Sequence, residues 1–363
     1  MNDDQLERLI NAEGMDRARF LRLGAATLVV PAALGSSARG ATAADLSRFA
    51  TKGPWRVGRA GLGDLNDWMI FLSAHYDYAI KTKYKGLFKD YIVTSANFDP
   101  TKQVADVEDL LAQDIDLLFI EPASTGGLVG AVRKAMSADV PVVLVSTRVS
   151  GERWTTWVSR NNYKDGAIQA RWLARKLGGK GQIVALMGFA GTSYATDVWN
   201  GGQSVLKQNP GIKVLEMQHA DWSAPKAKKV TETLLVKHKQ IDAVLSDGGQ
   251  MALGAVQAFQ DAGRKLPVVT ADDWNGWMRA ASKIKGLQFH SVSGSANLSV
   301  ASVDLAVSIL RGRSVPKVKE APFKTWDQSQ LKKWYRPDLV NSYWGFHSLP
   351  ESYLKRKFAL KKR

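Results

Sequence analysis

From Trp55 onward the chain alternates short apolar runs with longer stretches of helical period, and this alternation limits the fold more than any other feature. Runs that read as strands lie at 56–60, 91–95, 117–120, 140–145, 183–187, 213–217, 243–245 and 268–271. Between them the spacing predicts helices. In 102–113, Val104, Val107, Leu110 and Leu111 recur on one face, and Asp99-Pro100 stands ahead of them as N-cap and first-turn proline. Further helices are expected at 167–177, 198–208, 226–237, 249–262 and 298–311. Gly178-Gly179-Lys180-Gly181, Asn209-Pro210-Gly211 and Gly263-Arg264 punctuate the series. Strand and helix in alternation imply βαβ units and parallel sheets covered on both faces. Roughly nine such units exceed what one open sheet holds comfortably, so two sheets are expected. A length of 363 residues points the same way, to two lobes.

Open parallel sheets bind ligands beyond the carboxyl ends of their strands. The suspects are therefore the residues at 63–68, 121–122, 146–148, 188–194, 247–248 and 272–274. No catalytic set stands among them. His75, His219, His238, His290 and His347 are scattered without metal-ligand spacing, and the chain has no cysteine. Gly61 and Gly63 lack the third glycine of a dinucleotide site, and neither a phosphate-loop motif nor a nucleophile elbow occurs. Neither an enzyme nor a metal or cofactor is expected. The strand ends carry Asn66, Trp68, Arg148, Asp247, Asp272 and Trp274 instead. Carboxylate, amide and guanidinium groups make directional bonds to hydroxyls, and a flat indole packs on the apolar face of a sugar ring. That mixture suits a sugar or polyol.

The formal net charge is +16, with 45% hydrophobic and 23% charged residues. Lysines and arginines are spread along the chain and interrupted by acids, and they are densest at 355–357 and 361–363. This reads as a solvated basic surface ending in a frayed basic tail at 347–363, with no nucleic-acid partner. The first 43 residues read as an export signal: a basic flank from Arg17, an apolar run from Ala25 to Leu34, then small residues to a cleavage point after Ala43. Arg17-Ala18-Arg19-Phe20-Leu21 resembles a twin-arginine signal interrupted by Ala18, which leaves twin-arginine and general secretion both open. Met1 and Met15 are both candidate starts.

Several strings then recur in a familiar order: Asn97-Phe98-Asp99 with Gln103, 116–122, 141–148, Ser159-Arg160-Asn161-Asn162, 188–193, 246–254 and 268–272. From about Val57 to about Val315 the chain resembles the ribose/galactose-type periplasmic binding proteins that serve sugar ABC transporters. The resemblance implies the type I fold of that family, two Rossmann-like α/β lobes with parallel sheets joined by a hinge crossed near Ser159, Val292 and Phe323. One lobe would comprise 55–158 with 293–322, the other 159–292 with 323–346. It also implies a monomer that captures its solute between the lobes and presents it to a membrane permease. Presentation to a chemoreceptor or sensor kinase is the alternative. A LacI-type regulator is disfavoured because residues 1–54 offer a signal rather than a helix-turn-helix. By position, Asn66 and Trp68, Arg148 and Asp272 match sugar-contacting residues of the family. Thr147 stands at the family's aspartate, Val198 at its later arginine and Gly248 at its asparagine, for which Asp247 is the candidate replacement. The pocket is thus expected to be more aromatic than the family's, with Trp199 and Trp274 filling space and a last contact at His290 or shortly after it, within 290–293.

Overall fold

A computed structural model describes residues 46–294 and 296–361; the export signal expected at 1–43 lies outside them. Two six-stranded sheets organise these residues. The first holds β1 (Trp55–Gly61), β2 (Phe88–Ser95), β3 (Leu117–Ile120), β4 (Val142–Val145), β5 (Thr156–Ser159) and β11 (Val318–Glu320). The second holds β6 (Gly181–Met187), β7 (Ile212–His219), β8 (Ala243–Ser246), β9 (Val268–Ala271), β10 (Phe289–Val292) and β12 (Thr325–Asp327). Their orders are β11-β5-β4-β3-β1-β2 and β12-β10-β9-β8-β6-β7, the same winding used twice. All pairings are parallel except β10 with β12. The chain passes between sheets three times: from β5 to β6, from β10 to β11 and from β11 to β12.

Central strands β3, β4 and β8 are buried throughout, as their unbroken apolar runs require when helices cover both faces. Helix α1 (Asp67–Tyr78) follows β1 and α2 (Pro100–Leu111) follows β2. The Asp99 side chain caps α2 by accepting from Thr101 N and Lys102 N, while Val107 and Leu110 enter the core. After α3 (Val129–Ser137), helices α4 (Asn162–Lys176) and α5 (Ser193–Leu206) approach through glycines. A Cβ on Gly166 would stand 1.8 Å from the Val198 carbonyl oxygen, and one on Gly201 would stand 1.9 Å from that of Tyr163. Val198 is therefore committed to helix packing. Helices α6 (Ala224–Lys237), α7 (Gly249–Asp261), α8 (Asn275–Ala281), α9 (Leu298–Leu310), α10 (Leu331–Trp334) and α11 (Glu351–Phe358) complete the set.

The expectation of a frayed tail at 347–363 is corrected. Within its described part, Leu354 and Phe358 are buried, and α11 lies against α1. Phe358 meets Phe71 edge-on at 5.0 Å, Tyr353 meets Tyr78 at 5.4 Å, and Tyr353 Oη donates to the Ala74 carbonyl. The basic residues occupy the outer face of an amphipathic helix whose inner face is apolar, an arrangement that a charge count alone conceals. Upstream, Asn275 ties the segment to the second lobe. Its Nδ2 donates to the carbonyls of Arg336, Leu339 and Val340, and its Oδ1 accepts from Arg336 N. Residues 335–358 thus form a strap from the second lobe onto α1 of the first. Phe358→Ala should lower the unfolding free energy by about 3 kcal/mol, measured by denaturant titration; an unchanged midpoint would mean that α11 is undocked in solution.

Candidate ligand-binding site

The carboxyl ends of the two sheets face a shared pocket lined by residues of both lobes, the place where open parallel sheets bind their ligands. A larger groove near Lys180, Asp242 and Arg264 lies at the amino ends of the second sheet's strands. The first lobe contributes Leu62, Asn66, Trp68 and Met69 after β1, Phe98 after β2, Glu121 after β3 and Thr147 after β4. The second contributes Thr192 and Tyr194 after β6, Trp222 after β7, Asp247 and Gln250 after β8, and Asp272 after β9. Gly294, on the second crossing, and Trp344, on the strap, close the wall.

Local geometry explains how these side chains come to line the pocket. Asn66 Oδ1 caps α1 by accepting from Met69 N at 3.1 Å, which leaves its amide NH₂ for a ligand. Trp68 donates its indole N–H to the Gly294 carbonyl at 3.0 Å, linking α1 to the crossing. Phe98 and Trp222 both sit in left-handed backbone, φ 61° and φ 50°, each preceded by another left-handed residue, Asn97 and Asp221. Such positions cost about 1–3 kcal/mol each for side-chain-bearing residues and gather at functional sites. Two glycines make the slot for Trp222: a Cβ on Gly188 would stand 2.0 Å from its ring, and one on Gly248 would stand 2.9 Å away. Gly248, where the resemblance implies an asparagine, therefore makes room for an indole.

The polar side of the pocket is acidic. Glu121 is paired with buried Arg59 at 3.0 Å and also accepts from Tyr76 Oη. Arg160, buried nearby, is paired with Asp165 at 2.7 Å and also donates to Tyr194 Oη and the Ser293 carbonyl. Asp247 accepts from Trp222 Nε1 at 2.8 Å and from Gly188 N at 3.0 Å. Asp272 Oδ1 accepts from Trp274 N at 3.0 Å. Asp273 accepts from Gly294 N at 2.6 Å and from Phe346 N at 2.5 Å. Burial pushes the Asp247 carboxyl up to about 7; burial, with Asp273 adding to it, pushes Asp272 up to about 8. Gln250 Nε2 is buried with no hydrogen-bond partner among the described residues, leaving a donor at the wall.

The lobes are closed on each other. Phe98 stacks on Phe189 at 3.8 Å, Thr125 N donates to the Gly191 carbonyl at 3.2 Å, and Arg148 N donates to Ser193 Oγ at 2.9 Å.

Of the residues expected at the site, Asn66, Trp68, Asp247 and Asp272 lie on the pocket and the other four do not. The Arg148 guanidinium turns to the rim, where it lies over Trp157 and makes a two-pronged ion pair with Asp197 of the other lobe. Trp199 is half-buried on α5 and packs on the core of the second lobe. Trp274 is a strut between lobes: its Nε1 donates to Asp67 Oδ2 at 2.7 Å, and its backbone pairs with Trp344. The sheet places His290 against α4, stacked on Trp172 at 5.4 Å, where burial holds its imidazole down at about 4. Sequence reasoning missed Trp222 and Trp344 as wall residues. Trp222 follows an edge strand whose end was not among the suspects, and Trp344 lies beyond the last βαβ unit.

A family model described as a periplasmic binding protein domain matches residues 66–314. The chain belongs to this family. Family and relatives are binding proteins. The ribose import binding protein of Bacillus subtilis is 31% identical over 233 residues, covering 64% of this chain and 75% of its own. The xylitol-binding protein of Mycolicibacterium smegmatis is 29% identical over 228 residues, covering 62% and 65%. Among solved structures, the fructose-binding periplasmic domain of a hybrid two-component system superposes with a TM-score of 0.71 at 25% identity, covering 77% of this chain and 92% of that one. The two-lobed type I fold of this periplasmic binding protein agrees with that neighbour, while Trp344 and the strap lie past the matched domain.

Two outcomes are expected. Gly248→Asn, which puts in the residue that the resemblance implies there, should lower the melting temperature by several degrees by colliding with Trp222. Adding Trp222→Ala should recover part of the loss, and additive losses would show that the two positions do not compete for space. The second concerns pH. A carboxyl raised on folding binds more protons folded than unfolded, so the stability it lends at low pH is lost as pH climbs through the folded value. Between about pH 6.5 and 8.5, Asp247 and Asp272 titrate in the folded protein, whereas His75 and His290, held down at about 3 and 4 when folded, lose protons only in the unfolded state and mostly below about pH 7.5, an opposing gain smaller than the loss from the two carboxyls. Asp273, raised to about 6, acts mostly below that window. The unliganded protein should therefore lose stability from pH 6.5 to 8.5, and Asp272→Asn should flatten the slope; a level profile in the unmutated protein would contradict the assignment.

Proposed function

We propose that this periplasmic binding protein captures a monosaccharide, sugar alcohol or similarly hydroxyl-rich molecule between its lobes as the binding component of an ABC importer. One observation carries the reading. Indole side chains (Trp68, Trp222, Trp344) and directional polar groups (Asn66, Asp247, Gln250, Asp272) converge on one interlobe pocket at the strand carboxyl ends. Ring faces take the C–H side of a sugar, and carboxylates and amides take its hydroxyls. The names of the ribose- and xylitol-binding relatives support that chemistry. Because both lobes touch the ligand only when closed, binding favours the closed form. The reading includes a periplasmic location reached through the signal at 1–43, a membrane permease that meets the closed form, and action as a monomer. No catalytic step is assigned to the pocket. The hybrid two-component neighbour favours a second reading in which the closed form is presented to a sensor.

A thermal-shift panel of pentoses, hexoses and sugar alcohols should contain at least one compound that raises the melting temperature by several degrees, because a ligand that binds only the folded state must stabilise it. Tryptophan fluorescence should change with the same compound. Asp272→Ala should weaken that ligand at least about tenfold while the fold is retained. A panel without any stabiliser would rule the reading out, and unchanged affinity would remove Asp272 from the site.

A further inference from the structure

Charge around the pocket does not balance. No lysine, arginine or histidine lines it among the described residues. Two buried guanidiniums stand near it, and each already has a carboxylate: Arg59 with Glu121 at 3.0 Å and Arg160 with Asp165 at 2.7 Å. The cation expected at the site, Arg148, is spent on Asp197 at the rim. Asp247, Asp272 and Asp273 remain, all buried and none with an ion-pair partner among the described residues. Asp273 gives its oxygens to Gly294 N and Phe346 N, whereas Asp247 and Asp272 lie on the pocket and accept only from neutral N–H donors of the protein.

Around them stand aromatic side chains: Trp222, which donates to Asp247, with Trp68, Trp344, Phe98 and Tyr194. Rings with negative faces attract cations, most strongly away from water, and an aromatic enclosure beside carboxylates is the usual arrangement for an ammonium group. Buried carboxylates without a countercharge are costly, and an occupant that brings one relieves that cost. Burial raises both pocket carboxyls even though Arg160, already paired with Asp165, acts on them from nearby in the opposite direction.

We infer that the ligand is a hydroxyl-rich molecule carrying an ammonium group, of the amino-sugar or amino-alditol class, held with its cation among Asp247, Asp272 and the indole faces. The inference rests on the sugar-like reading of the same pocket and narrows it.

Isothermal titration at pH 7 with matched pairs tests it: D-glucose against D-glucosamine, D-galactose against D-galactosamine, and sorbitol against 1-amino-1-deoxysorbitol, beside the neutral panel above. At least one amine should bind tenfold or more tightly than its hydroxyl twin. That advantage should shrink to threefold or less in Asp272→Asn. Asp247→Asn serves as the second variant, with circular dichroism checking that each is folded. Neutral compounds that bind as tightly as their amine twins, or more tightly, overturn the ammonium inference and leave the sugar reading in place. An amine advantage that persists in both folded variants also overturns it. If no neutral or amine compound binds, both readings fall.

Discussion

At the end of β9 two successive aspartates divide between them the construction of the cleft. Asp272 faces the pocket, while Asp273 holds Gly294 N of the second crossing and Phe346 N of the strap. Buried backbone N–H groups must find acceptors, so one carboxylate sets the register of both segments. Gly294 has room for no side chain. A Cβ there would stand 2.5 Å from the Trp344 ring and 3.3 Å from that of Trp68. Its carbonyl accepts from Trp68 Nε1. Crossing, strap and two of the three indole walls therefore meet at one residue, and Asp273 holds it.

The remaining wall is built by strain used twice. Because the two sheets wind alike, the loops after β2 and β7 occupy equivalent places at the edge of each lobe. Each loop carries two left-handed residues in a row and delivers an aromatic ring, Phe98 in one and Trp222 in the other. The unfavourable backbone is offset by what the rings then contact: Phe98 stacks on Phe189 across the cleft, and Trp222 gives its N–H to Asp247. Gly188 and Gly248 are the counterparts of that choice in the neighbouring strand ends.

Much of this architecture was legible because buried parallel strands must be apolar throughout, and all eight runs read from the sequence correspond to strands. What escaped lacked that signature. Strand β5, Thr-Trp-Val-Ser, alternates and is short; β11 is exposed along its length. Helix α1 is buried on opposite sides, Leu72 and Tyr76 against the first lobe and Phe71 against the strap, so it shows no polar face to mark its period. Side-chain direction was the other gap. A strand-end position says that a residue is near the pocket, not that it points into it. Asp272 and Asp247 do, whereas Arg148, one position after pocket-lining Thr147, finds Asp197 at the rim. For His290, the alternation of a strand buried on both faces left two choices, and its ring went to Trp172.

Apart from the Trp274–Asp67 strut, the contacts that close the rim of the cleft are few and of modest strength. The Arg148 and Asp197 side chains are 34% and 21% exposed, and partly solvated ion pairs contribute little. Thr125 donates from both its N and its Oγ1 to the Gly191 carbonyl and Arg148 N donates to Ser193 Oγ, neutral hydrogen bonds that water can replace. Aromatic stacking of Phe98 on Phe189 adds about 1 kcal/mol. The strap works differently, because its apolar packing against α1 involves Phe71, Tyr78, Tyr353 and Phe358 rather than the rim. Separating the rim contacts therefore costs little, while tearing α11 from α1 would expose a core. Any opening motion must leave that packing intact and pivot close to it, so the closed state gains its main stabilisation from whatever bridges Asp272 and Trp222 to Trp68 and Asn66 inside the pocket.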